Sequence, residues 1–179
     1  STVSIAYIYL SSLFFIFHRY LQLATTMTQR LSFEDIMQME RRKRANLMNH
    51  LSGFKSANLI GTIGSGSIPN LAVFNSVVHI GANPPYLGFI LRPTTVARHT
   101  YENIKATGFY TLNHIHTGIY KQAHQTSAKY DEQTSEFEAV GLTPEFSQDF
   151  MAPYVAESHI KLGLRYEEEY LIQANNTIL

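Results

Sequence analysis

Between Ala57 and Asn113 the chain alternates short apolar, β-branched runs with turn residues, and no other feature limits its fold as much. Asn58–Ile63 is one such run, followed by the turn Gly64-Ser65-Gly66-Ser67-Ile68-Pro69-Asn70. Leu71–Ile80 reads as a second strand stopped by Asn83-Pro84-Pro85, Tyr86–Leu91 as a third ending at Arg92-Pro93, and Phe109–Ile115 as a fourth. Gly and Pro stop such runs because one tolerates turn dihedrals and the other lacks the N–H a ladder needs. His99–Ala106 carries Tyr101, Ile104 and Lys105 at helical spacing, with Gly108 beyond its end. Further on, Ile119–Ala128 reads as helical and Ser135–Val140 leads into a loop over Gly141–Pro153. Val155–Arg165 is one more strand, and Tyr170–Ile172 follows an acidic turn. Strands this short, with few helices between them, favour a mainly β fold, a small β-barrel with peripheral helices, over a doubly wound sheet.

A length of 179 residues fits one domain, which is placed at 27–179. Fourteen Lys and Arg balance fourteen Asp and Glu, so there is no basic excess to displace phosphate counterions, and nucleic acid is set aside as a partner. The chain has no cysteine, which excludes disulfides, thiolate metal sites and a Cys nucleophile, and suits a cytoplasmic protein.

Residues 1–26 stand apart as an apolar N-terminal extension. Val3–Phe17 is almost wholly apolar before His18 and Arg19 interrupt it, shorter than the roughly 20 residues a membrane helix needs. It also lacks the basic start and the small-residue cleavage site of a secretory signal. A buried strand or helix, or an extension ahead of a start at Met27, fits better than a membrane anchor. After it, Ser32 and Asp35 have the spacing of a capping box, opening an amphipathic helix that runs into Arg41, Arg42, Lys43 and Arg44 near its C-terminus.

Several motifs fail on inspection. Gly61, Gly64 and Gly66 run in the order G-x-x-G-x-G with Pro69 where a helix should begin, so a hairpin turn accounts for them better than a dinucleotide fingerprint. No G-K-[ST] and no G-x-S-x-G is present. His114 and His116 share a strand face, with Asn113 on the other, but no third ligand lies near them, which favours a structural role over a metal site.

Two stretches carry chemistry. Asn70-Leu71-Ala72-Val73-Phe74-Asn75-Ser76 sets amides and a hydroxyl into an otherwise apolar strand. Buried polar groups without partners cost about 1–3 kcal/mol each, so either neighbouring backbone or a flat heteroaromatic ring must satisfy them. Arg92, Thr94, Thr95, Arg98, His99 and Thr100 gather cations and hydroxyls around a helix start. That set suits a phosphate or, more simply, a solvated loop.

In this order these stretches resemble the flavin reductase-like family of FMN-binding split barrels. The resemblance runs from about Leu47 to Leu179. It also rests on Arg98-His99-Thr100-Tyr101-Glu102-Asn103-Ile104, Glu136-Phe137 with Gly141-Leu142-Thr143-Pro144, and Pro153-Tyr154-Val155-Ala156-Glu157-Ser158. It implies an FMN-binding oxidoreductase reduced by NAD(P)H, with hydride delivered to N5 of the flavin and passed to a flavin or another small-molecule electron acceptor. By the same resemblance Asn70–Ser76 lies along the isoalloxazine ring, while Arg92, Arg98 and Thr100 hold the phosphate. Ser56 and His124–Ala128 approach the cofactor, and the protein is a homodimer. Alternatives are a flavoredoxin-like electron carrier reduced by a protein partner, or a non-catalytic dimeric ligand-binding barrel. No side-chain acid, base or nucleophile is identified. The family's β-structure continues past the strand matching Thr177–Leu179, residues 1–26 have no counterpart in it, and His99 stands where many relatives carry an acid.

Overall fold

The computed structural model describes residues 7–11, 28–92, 97–131 and 133–179. Most of the N-terminal apolar stretch, the boundary expected at residue 26, and Thr94 and Thr95 lie outside the described residues. The chain divides into two compact units, Ser1–Phe54 and Lys55–Leu179.

In the first unit β1 (Tyr7–Ser11) pairs antiparallel with β2 (Thr28–Ser32). Ser32 then caps α1 (Phe33–Gln38): the Asp35 N–H donates to Ser32 Oγ at 3.1 Å and the Ser32 N–H to Asp35 Oδ2 at 2.8 Å. The expected capping box is therefore present. The basic run falls elsewhere than expected, because α1 stops at Gln38 and Arg41–Arg44 open a second helix, α2 (Arg41–His50). Glu40 explains the placement. Its carboxylate accepts the N–H groups of Arg42 at 2.8 Å and Lys43 at 3.0 Å, satisfying two orphan donors and placing negative charge at the positive end of the helix dipole.

The second unit is built on a four-stranded antiparallel sheet in the order β10 (Lys161–Arg165), β7 (Phe109–His114), β3 (Asn58–Ile63), β4 (Pro69–Phe74). Successive strand residues point to opposite faces, so the sheet carries a core on each side. On one side Leu59 and Leu71 pack with Ile119, Ala123, Phe137, Leu142 and Val155. These come from β3, β4, α4 (Tyr120–Gln125) and its cap, α5 (Glu136–Val140) and the loop after it, and β9 (Phe150–Val155), which pairs with β8 (Pro144–Ser147). On the other side Ile60, Tyr110 and Ile104 of α3 (His99–Thr107) meet Phe74 and Phe89. Phe89 ends the hairpin of β5 (Val77–Ala82) and β6 (Pro85–Phe89), and its ring meets that of Phe74 edge-on at 5.0 Å. A short pair, β11 (Leu171–Ile172) and β12 (Thr177–Ile178), returns to Leu91 through two backbone bonds with Ile178, of 2.8 and 3.0 Å.

Two expected strands divide. Leu71–Ile80 breaks at Asn75-Ser76, where Ser76 Oγ both donates to Ile90 O (2.9 Å) and accepts from Ile90 N–H (3.1 Å). That hydroxyl supplies the backbone partner a continuous strand would have offered, and the chain crosses from one sheet to another. Val155–Arg165 likewise stops at Val155 and resumes at Lys161, and the expected loop over Gly141–Pro153 holds β8 and most of β9. Other expectations agree with the structure: the Gly64–Asn70 turn joins β3 to β4 as a hairpin, α3 ends on Gly108 in the left-handed conformation (φ 77°), and Phe109–His114 is a strand.

Among the described residues no helix is long and apolar enough to cross a membrane.

Candidate functional site

β4 is the last strand of its sheet, so among the described residues one side of its backbone has no strand partner. Antiparallel pairing gives alternate residues to the neighbour and turns the others outward. The outward set is identified by Leu71, whose N–H donates to Glu136 Oε2 at 3.0 Å rather than to β3. Val73, two residues on, presents its N–H and C=O to the same open side.

The side chains of this strand are largely committed inward. Leu71 is fully buried, Val73 packs against the same cluster, and Phe74 belongs to the opposite core. Asn70 is 8% exposed and engaged at both ends of its amide. Its Oδ1 accepts from Thr62 Oγ1 and Thr100 Oγ1, both at 3.0 Å, and its Nδ2 donates to Glu136 Oε2 at 2.7 Å. Ser76 is used by Ile90, while Ala72 is half-buried and Asn75 exposed. What Leu71–Asn75 can present to a ligand is therefore mainly main chain. Of the amides that suggested a ring-binding strand, Asn70 is taken up by the protein itself.

The phosphate-suited residues fall into two groups. Arg98 Nη2 donates to Arg92 O at 2.9 Å, which brings Arg98, at the start of α3, against the main chain of Arg92. Arg92 is exposed and Arg98 half-buried. Thr100 turns away from them into the Asn70 network, which ties α3 to β4. Of the other positions implied by the resemblance, Ser56 is exposed and accepts from Asn58 Nδ2 at 3.2 Å, and His124 is exposed on α4. His114 lies exposed at the end of β7, and the His116 ring stacks on His159 at 4.2 Å.

Glu136, Thr62 and Asn103 complete the network; Asn103 and Glu136 lie in stretches that carry the family resemblance, but none of the three is among the expected site residues. Asn103 Nδ2 donates to Thr62 Oγ1 at 3.1 Å. Asn70 and Asn103 also line a cleft of about 140 Å³ with Gly64, His99, Glu102 and Thr134. At Gly64 a Cβ would fall against Asn103 Oδ1, so glycine keeps the cleft open there. In a bare sequence Glu136 reads as an ordinary acid in the first turn of a helix, and nothing local marks it as the acceptor for a strand 65 residues away.

A ring with hydrogen-bonding atoms along one edge fits an open strand edge, and a phosphate fits a guanidinium such as that of Arg98, held on the Arg92 carbonyl. The donors present are thus of the kinds a phosphorylated planar heterocycle needs.

This is a split barrel in which β4 keeps one open edge and Arg98 is anchored on the Arg92 carbonyl. Residues 51–179 match the flavin reductase like domain, and the chain belongs to that family. It is 53% identical to a flavin reductase candidate with a split barrel domain from Shewanella frigidimarina NCIMB 400, covering 82% of this chain and 73% of the other with a TM-score of 0.78. The flavoredoxin of Desulfovibrio vulgaris (Miyazaki F) is 25% identical, with 69% and 65% of the two chains covered and a TM-score of 0.60. Nitrilotriacetate monooxygenase component B from Bacillus cereus is 15% identical over 90% and 77% of the two chains, at a TM-score of 0.71, and shares the fold.

Proposed function

We propose that this chain is an FMN-dependent oxidoreductase that takes electrons from NAD(P)H and passes them to a flavin or another small acceptor. The observation that carries the reading is the open outward edge of β4 in a chain of this family, with Arg92 and Arg98 held together nearby in sequence order. When bound, FMN supplies the redox chemistry, accepting hydride at N5 and returning electrons.

The residues of the chain bind and orient. Val73 offers main-chain donor and acceptor groups to the polar rim of the ring, and the buried Asn70 network holds that strand still. Arg92 and Arg98 neutralise the phosphate, with the Arg98 guanidinium already anchored on the Arg92 carbonyl. No side-chain acid or base is required of the protein. Rate then comes from the orientation of two rings and from fixed dipoles along β4.

We expect a cytoplasmic homodimer. Val78, Ile80 and Tyr86 leave apolar surface exposed on the β5–β6 hairpin, which a second copy would cover.

The likeness to a flavoredoxin favours one second reading, an FMN electron carrier reduced by a protein partner. One preparation tests both. Purified protein given FMN is expected to turn yellow and to oxidise NAD(P)H. Bound FMN without NAD(P)H oxidation, but with fast reduction by a low-potential protein donor, selects the carrier. Protein that stays colourless with added FMN rejects both.

A further inference from the structure

One carboxylate oxygen collects a chain of buried donors drawn from three elements. Asn103 Nδ2 on α3 donates to Thr62 Oγ1 on β3 at 3.1 Å, and Thr62 Oγ1 donates to Asn70 Oδ1 at 3.0 Å. Thr100 Oγ1 donates to that same oxygen at 3.0 Å, and Asn70 Nδ2 donates onward to Glu136 Oε2 at 2.7 Å. The Leu71 N–H reaches the same carboxylate oxygen at 3.0 Å. Every bond points toward Glu136, and hydrogen bonds aligned in this way polarise one another. Glu136 is 8% exposed, so the charge its network is built around sits in a poorly solvated place.

Its position matters more than its burial. The Leu71 N–H belongs to the outward side of β4, so Glu136 occupies the first position on that edge. The next outward group, the Val73 N–H, lies two residues on, about 7 Å along the strand. We propose that Glu136 lowers the reduction potential of a flavin lying on the β4 edge, by fixing a negative charge one edge position from the ring. This rests on the flavin reading given above. Two-electron reduction of the oxidised ring with uptake of one proton leaves the ring with one negative charge. A fixed carboxylate opposes that charge and leaves the neutral oxidised ring almost untouched. Away from water the opposition fades slowly with distance, and the bound reduced flavin becomes a stronger donor.

Glu136→Gln removes the charge and keeps an amide oxygen able to accept from both Asn70 and Leu71. FMN is titrated into wild type and variant by fluorescence, and the potential of bound FMN is measured against a redox dye. Oxidised FMN should bind within about threefold of wild type, while the preference for reduced over oxidised flavin rises roughly tenfold or more, read as a more positive potential. A variant that binds FMN at the wild-type potential overturns the proposal. Glu136→Asp keeps the charge but shortens the reach, and its potential should stay with the wild type. If the aspartate rises as far as the glutamine, geometry rather than charge sets the potential and the proposal fails. If the glutamine does not fold, Glu136→Asn takes its place beside the aspartate, which has the same shape and keeps the charge; equal potentials for that pair overturn the proposal. Wild-type protein that takes up no FMN overturns the flavin reading itself, and is told apart by requiring no variant.

Discussion

Asn113 Oδ1 accepts the backbone N–H of Val155 at 3.0 Å, while Asn113 Nδ2 donates to Leu59 O at 3.2 Å and to Thr111 Oγ1 at 2.9 Å. A side chain from the middle of the main sheet thus supplies the partner that a neighbouring strand would give β9. Thr111 does the same for the carbonyl of Pro153, at 2.6 Å. The β8–β9 hairpin is fastened across the face of the sheet by these two residues as well as by its apolar contacts.

Asn113→Ala should therefore cost about 1–3 kcal/mol, since it leaves the Val155 N–H and the Leu59 carbonyl without this buried partner. A urea melt is expected to show a lower midpoint with an unchanged slope. A midpoint equal to that of wild type would mean that the asparagine is not what holds β9.

Gly61 faces the same junction. A Cβ there would meet Thr111 Oγ1 at 2.6 Å and fall against the Pro153 carbonyl oxygen. Gly61→Ala should destabilise by about 1–3 kcal/mol, because neither the backbone oxygen nor the short threonine can retreat. Gly66→Ala, where a Cβ meets nothing within 4 Å, is the matched control and should melt close to wild type. Equal melting temperatures for the two variants would contradict the close packing at Gly61.

Arg98→Ala should weaken FMN binding at least about tenfold, the loss expected for a charge-assisted contact worth about 1.5–3 kcal/mol. The variant also frees the Arg92 carbonyl from its 2.9 Å bond, so Arg92 loses an anchor as the site loses a cation. Fluorescence titration with FMN measures the change, and an unchanged affinity would move the phosphate away from these arginines.

Burial raises the Tyr110 phenol above its ordinary value, and burial followed by the hydrogen bond to Glu169 raises Tyr101 as well. The neutral form is the one the fold accommodates, so the sign is that of a folded-state pKa above the unfolded one. Stability should hold below about pH 10, where unfolded tyrosine stays protonated, and fall as pH climbs through that value toward the folded pKa. Denaturant melts at pH 8, 10 and 11 check this, and Tyr110→Phe should flatten the decline. A wild-type curve that stays level to pH 11 would refute it.

Local chemistry wrote much of the fold into the order of residues. The runs Asn58–Ile63, Tyr86–Leu91 and Phe109–Ile115, the helix from His99 with its glycine stop, and the Ser32–Asp35 cap are all visible because each depends on neighbours a few positions away. The breaks at Asn75-Ser76 and after Val155 were not visible. Ser76 needs Ile90, and Val155 needs Asn113, before either can leave a strand, and both partners lie far along the chain. The single helix expected from Ser32 into Arg41–Arg44 divides as well, because the Glu40 carboxylate caps a second helix at Arg41.

The sequence by itself determined where the proposed site is sought, through an amide-bearing strand followed by arginines in family order. Only the tertiary structure decided which atoms are left to serve it. Asn70, Thr100 and Ser76 carry the right groups for a ligand, yet folding turns them onto Glu136, Thr62 and Ile90 and leaves the strand edge to the backbone. The reason is the cost of burial: a polar side chain removed from water takes the nearest partner the fold provides, and that partner is set by three-dimensional packing rather than by distance along the chain.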